Sequence, residues 1–104
     1  MNALQENICE ISMLVGYLIA LGHLPKEELD LDSTTLSTTI VGWAQEFEEK
    51  YGRRYGFEVY DDAPAEELGG AKTYFDAIDN FTLLKLRNAG WLTNEYVNSI
   101  DWWD

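Results

Sequence analysis

Apolar positions along the chain fall into three periodic segments separated by polar or glycine-containing stretches. The first is the densest: from Ile8 to Leu21 nearly every residue is apolar or small, and Glu10 is the single charge. At 100° per residue Leu4, Ile8, Ile11, Val15, Leu18 and Ile19 share one side of a helix while Met13, Tyr17 and Leu21 fall on others, which predicts a central helix buried on several sides. Cys9, Ser12, Gly16 and Ala20 form a strip of small residues against which another helix could approach closely. The helix is predicted from about Ala3 to Leu21, stopped by Gly22 and Pro25.

The second segment, from about Thr35 to Tyr51, places Leu36, Ile40, Trp43, Ala44, Phe47 and Tyr51 in one stripe and ends at Gly52. Ser33, Thr34 and Thr35 are suited to cap it, and Leu29 and Leu31 are expected to pin the preceding acidic stretch to the core. The third segment runs from about Ala71 to Asn88 and ends at Gly90. Ala71, Tyr74, Phe75, Ile78, Phe81, Leu86 and Ala89 line its apolar face, Asp76, Asn80 and Arg87 oppose them, and Leu83 and Leu84 lie outside the stripe. Thr93 is placed to cap a last short helix from Asn94 to about Trp102, in which Tyr96, Ile100 and Trp103 face the core and Trp102 is turned outward.

Residues 53–70 show no helical period. Tyr55, Phe57 and Val59 alternate with polar or small residues, which suggests a short extended segment without a partner strand. Loops this long tend to be functional or disordered, and this one, read as an ordered loop, is expected to contribute little core. The fold class expected is all-α: a single domain over residues 1–104, built as a small bundle of three main helices plus a short C-terminal helix, with a long acidic loop between helices two and three.

Composition narrows the functional classes. An apolar fraction of 46%, with 13% aromatic residues and four Trp, supplies enough surface for a packed core. Seven Lys and Arg stand against nineteen Asp and Glu, a formal charge of −12, which disfavours direct binding of DNA or RNA and favours a partner with a basic surface. The first residues lack the basic segment that opens a secretory signal, and the Ile8–Leu21 run is too short for a bilayer span. A lone Cys9 makes no intramolecular disulfide, and the expected setting is a reducing one, the cytoplasm, with no membrane partner.

Catalytic and cofactor motifs are not found. One His and one Cys do not make a zinc site by themselves, and His23 reads as a residue of the turn that ends the first helix. The run beginning Asp30-Leu31-Asp32 starts like a calcium loop, but Thr35 and Val41 stand where Gly and Glu are needed. Gly69-Gly70-Ala71-Lys72-Thr73 lacks the glycine spacing of a phosphate loop and has Glu66 and Glu67 beside it. Asn80-Phe81-Thr82 matches a glycosylation acceptor only inside a predicted helix. The expectation is no catalytic residue, no cofactor and no metal.

Charge distribution carries the functional reading. Glu58, Asp61, Asp62, Glu66 and Glu67 occur within ten residues that contain no Lys or Arg, and Asp76 and Asp79 follow on the next helix. Carboxylates on a rigid helical scaffold can stand in for the phosphates of nucleic acid, and aromatics beside them serve as anchors in protein interfaces. The expected partner-binding set is therefore Glu58, Tyr60, Asp61, Asp62, Glu66, Glu67, Asp76, Asp79 and Trp102. It would meet a basic protein, one that handles nucleic acid. In type, though in no motif, the chain resembles small acidic helical inhibitors such as phage counter-defence proteins and bacteriocin immunity proteins. The rival expectations are an accessory subunit or homo-oligomer associating through Leu83, Leu84 and the C-terminal Trp pair, and a small enzyme with a pocket of convergent polar groups.

Overall fold

A capping box starts the first helix. The Asn2 side chain accepts from the Gln5 backbone N–H at 2.8 Å and the Gln5 side chain accepts from the Asn2 N–H at 3.0 Å, satisfying two of the donors that a helix start leaves unpaired. The computed structural model describes residues 1–24 and 34–103. Among these, α1 spans Ala3–Ala20, α2 Thr34–Lys50, α3 Ala65–Leu68, α4 Tyr74–Asn88 and α5 Asn94–Ser99, and no strand is present. The expected helical class is met. Leu29, Leu31, Ser33 and the acidic stretch around Asp30 and Asp32 lie outside the described residues.

Helix α1 stops where the sequence places the stop. Gly22 has φ +79°, a conformation that lets its N–H bond to Ile19 O and the His23 N–H bond to Leu18 O, closing the last turn with two otherwise unpaired carbonyls. Leu36, Ile40, Ala44 and Phe47 of α2 are buried as the stripe predicts. Phe47 lies at the centre of an aromatic cluster, with ring centroids 5.3 Å from Tyr51, 6.2 Å from Tyr60, 6.0 Å from Tyr74 and 5.4 Å from Phe81. Edge and tilted contacts of this kind add to the apolar burial itself.

Buried Asn7 joins the three long helices. Its Nδ2 donates to Ala44 O at 3.3 Å and to Glu48 Oε2 at 3.4 Å on α2, and its Oδ1 accepts from the Tyr74 hydroxyl of α4 at 2.6 Å. An amide buried this way is costly unless its donors and acceptor are met, so the junction fixes the relative register of α1, α2 and α4. Burial pushes the Tyr74 hydroxyl up to about 12, and it remains a donor at any ordinary pH.

Several expectations are corrected. Helix α1 is not buried on several sides: Met13, Tyr17 and Leu21 are exposed, as are Cys9 and Ala20 from the small-residue strip. Only the Ile11, Val15 and Leu18 side is covered, by α2 and α4. Helix α4 begins at Tyr74, with Thr73 as its N-cap, because Gly69 and Gly70 take positive φ and carry Ala71 and Lys72 in a non-helical link. Phe75 and Ala89 are consequently exposed, while Ala77 and Leu84 are buried. Residues 53–70 form no extended segment. They contain α3 and give Tyr60 and Leu68 to the core at 1% and 0% exposure.

The Trp pair is also reversed from expectation. Helix α5 ends at Ser99, so the 100° rule does not reach residues 102 and 103. Trp102 turns inward: its Nε1 donates to Val97 O at 2.9 Å and the Arg87 guanidinium lies 4.6 Å above its ring. Trp103 is 40% exposed and rests on the turn after α3, where a Cβ on Gly69 would come within 2.7 Å of its ring carbons.

Candidate functional site

The acidic residues expected to bind a partner separate into three settings. Glu58, Asp61 and Asp62 lie on the exposed part of the 53–70 segment, and two cations serve the three of them. Lys72 Nζ reaches Asp61 at 2.9 Å and Glu58 at 3.7 Å, and Arg54 Nη1 bonds Asp62 at 2.8 Å. The Arg54 hydrogen bond holds the Asp62 carboxyl below its usual range, and Asp61 raises Lys72. Glu58 sits at φ +62°, an uncommon conformation for a side chain of its size. The Val59 N–H donates to Lys72 O at 3.0 Å, fastening this segment to the link that precedes α4.

Tyr60 is not a surface anchor. Its hydroxyl donates to Gly52 O at 2.8 Å and accepts from the Arg54 N–H at 2.9 Å, and its ring packs toward Phe47. Arg54 completes the arrangement by donating to Tyr51 O and Val59 O. This inward tyrosine makes the segment part of the core, and the arginine that secures it also neutralises Asp62.

Glu66 and Glu67 of α3 face the second setting, where α2, α3 and α4 meet around a cavity of about 120 Å³. Glu67 accepts from the Tyr51 hydroxyl and lies 3.7 Å from Lys50, which is also 3.7 Å from Glu46, and Lys85 forms an ion pair with Glu46 at 2.6 Å. Burial first, then Glu67, raises Tyr51. A tyrosine proton held this firmly is poorly matched to acid–base work near neutral pH, and the two lysines already have carboxylate partners. Glu66 is exposed and carries no ion pair among the described residues.

Asp76 and Asp79 form the third setting, together with Glu10, the single charge in the apolar run of α1. Asp76 is exposed, Asp79 and Glu10 half-buried. Burial, then Glu10 and Asp76, push the Asp79 carboxyl up to about 6, the expected response of an acid that is partly desolvated among like charges. None of the three has an ion pair among the described residues. The nearby Arg53 is held elsewhere: it pairs with Glu6 and its guanidinium lies 4.0 Å above the Tyr74 ring.

The fold therefore brings Glu58, Asp61 and Asp62 together and joins Asp76 and Asp79 to Glu10. Tyr60 and Trp102 face inward, Tyr60 sharing Arg54 with Asp62. Each described lysine or arginine is engaged: Lys50, Arg53, Arg54, Lys72 and Lys85 in ion pairs, and Arg87 over Trp102. Among the described residues no three His, Cys, Asp or Glu converge closely enough to hold a metal ion, and no helix is long and apolar enough to cross a membrane. Compared with protein-family models, curated proteins and solved structures, the chain matches none.

Proposed function

We propose that the protein is a non-catalytic acidic binding module that occupies the basic, nucleic-acid-binding surface of a nuclease or another nucleic-acid-handling protein. The observation that carries this reading is the face formed by Glu10, Asp76 and Asp79, three carboxylates on two packed helices with no ion pair among the described residues. Burial and the nearby charges of Glu10 and Asp76 raise the Asp79 carboxyl, and Glu10 lines a surface pocket with Phe75 beside Asp76. A partner that brings lysines or arginines relieves that repulsion and gains charge-assisted hydrogen bonds, and the overall charge of −12 steers it toward contact. Glu58, Asp61 and Asp62 stand in a secondary role, since an incoming cation must compete there with Arg54 and Lys72.

The alternative of an accessory subunit or homo-oligomer associating through Leu83, Leu84 and the C-terminal Trp pair has less to support it, because Leu84 is buried, Leu83 and Trp102 pack against the core, and only Trp103 of the four is exposed. To test the acidic reading, partners are recovered at low salt and their affinity is measured against salt and against duplex competitor. Loss of affinity with salt, competition by nucleic acid, and loss of binding in Glu10→Lys, Asp76→Lys, Asp79→Lys are the expected results. Binding that ignores salt and coexists with nucleic acid would refute it.

A further inference from the structure

An apolar ridge runs beside the acidic face. Cys9, Met13, Tyr17 and Leu21 follow one another every four residues on α1 and all are exposed, Met13 at 64%, Tyr17 at 62% and Leu21 at 50%. Four residues advance the side-chain direction by about 40°, so the ridge slants across the face opposite the buried Ile11, Val15 and Leu18. Glu10 points between Tyr17 and Leu21, about 20° from each by the same rule, and it lines a surface pocket with Cys9 and with Phe75 of α4, the neighbour of Asp76. One border of the ridge is thus acidic, with Glu10, Asp76 and Asp79. On the other border lie the uncharged Ser12 and Gly16.

Resting on the reading of these three carboxylates as a partner surface, we propose that the ridge and its acidic border dock a basic amphipathic helix of a partner protein. The apolar face of that helix lies on Met13, Tyr17 and Leu21, and its lysines or arginines meet Glu10, Asp76 and Asp79. An amphipathic partner helix presents its own apolar anchors at i, i+3, i+4 and i+7, and an exposed methionine adapts to varied apolar partners. Charge decides the occupant: a second copy of the chain would bring −12 against −12, whereas a basic helix complements the border. Helices of that composition are what many DNA-binding proteins lay in the major groove, which fits the surface the module is proposed to occupy.

The test uses the whole chain and a leucine–lysine peptide patterned as an amphipathic helix, with a scrambled peptide of the same composition as comparison, both measured at physiological salt. The patterned peptide should bind about tenfold tighter than the scrambled one. Met13→Ser with Tyr17→Ser should weaken it about tenfold or more. Glu10→Gln, Asp76→Asn, Asp79→Asn should weaken it comparably, and Asp61→Asn, Asp62→Asn should leave it within about twofold. Circular dichroism confirms that each variant is folded. If only the carboxylate variant loses binding, the acidic surface stands and the ridge inference fails. If only the ridge variant loses it, the acidic border is wrong and both readings fall. Absence of binding to the patterned peptide, or equal binding of both peptides with no effect of the ridge variant, overturns the inference. A dimer in sedimentation that Met13→Ser with Tyr17→Ser dissolves would assign the ridge to a second copy instead.

Discussion

Two groups of carboxylates, close in the sequence, have opposite electrostatic fates. Glu58, Asp61 and Asp62 look the more acidic when counted along the chain, yet Arg54 and Lys72 close upon them. Asp76 and Asp79 look sparser, yet Glu10 joins them from α1, and among the described residues none of the three forms an ion pair, the nearby Arg53 being paired with Glu6. Charge density along a chain therefore misstates surface potential wherever the fold imports counterions to one stretch and like charges to another. The first group is part of how the 53–70 segment is held. The second is where negative charge is left for something else.

That comparison can be broken most sharply at Tyr60. If the first group belongs to a segment anchored in the core, Tyr60→Ala should cost about 3–5 kcal/mol, read as a lower denaturation midpoint at unchanged slope. A loss under about 1 kcal/mol would mean the segment is only laid on the surface. Arg54→Met comes next, at about 2–3 kcal/mol, because it removes charge-assisted bonds to Tyr51 O and Val59 O as well as the ion pair. Asp62→Asn should cost far less, since an exposed pair contributes little. Equal losses at the two would place the stabilisation in the ion pair and not in the arginine's grip on the backbone.

The second group is tested by pH. Asp79 has its folded-state pKa raised to about 6 from an ordinary 3.8, so its contribution to stability is fully present below about pH 4 and is lost as pH rises through about 6. Asp79→Asn should therefore stabilise the protein at pH 8, by about 1 kcal/mol after allowance for solvent screening. The gain should disappear at pH 4. A gain that persists there would assign the effect to packing. The smallest expected effect is that of salt on the free protein. Raising ionic strength screens Glu10, Asp76 and Asp79 from one another over about 8–10 Å and should lift Tm by about 1–3 °C. A fall in Tm would mean that the ion pairs of the first group dominate.

One-sided burial on a helix leaves a 3.6-residue trace in the sequence, and this made α2 and the extent of α1 legible. Leu36, Ile40, Ala44 and Phe47 could be read directly as a buried stripe. Asn7 could not, because a periodicity of apolar residues passes over a polar side chain whose partners lie on two other helices. Tyr60 was misplaced because burial within an irregular segment has no period. The acids beside it suggest a surface anchor, whereas its hydroxyl satisfies Gly52 O and the Arg54 N–H. Of the acidic surface, Asp76 and Asp79 were legible and Glu10 was not. Its only signal was its position in line with Met13, Tyr17 and Leu21, residues that already departed from the apolar stripe of α1.

The tryptophans give the molecule a pair of optical gauges. Trp43 of α2 and Trp91, just after α4, have rings 5.7 Å apart, and Trp102 and Trp103 at the end of the chain stand 6.0 Å apart with planes at 90°. Indoles this close share their electronic excitations, so each pair should give its own coupled signal in circular dichroism. One signal reports whether α2 still touches the chain beyond α4, the other whether the tail still rests on Gly69. Tyrosine substitution at Trp91 or at Trp103 would silence one gauge and leave the other readable.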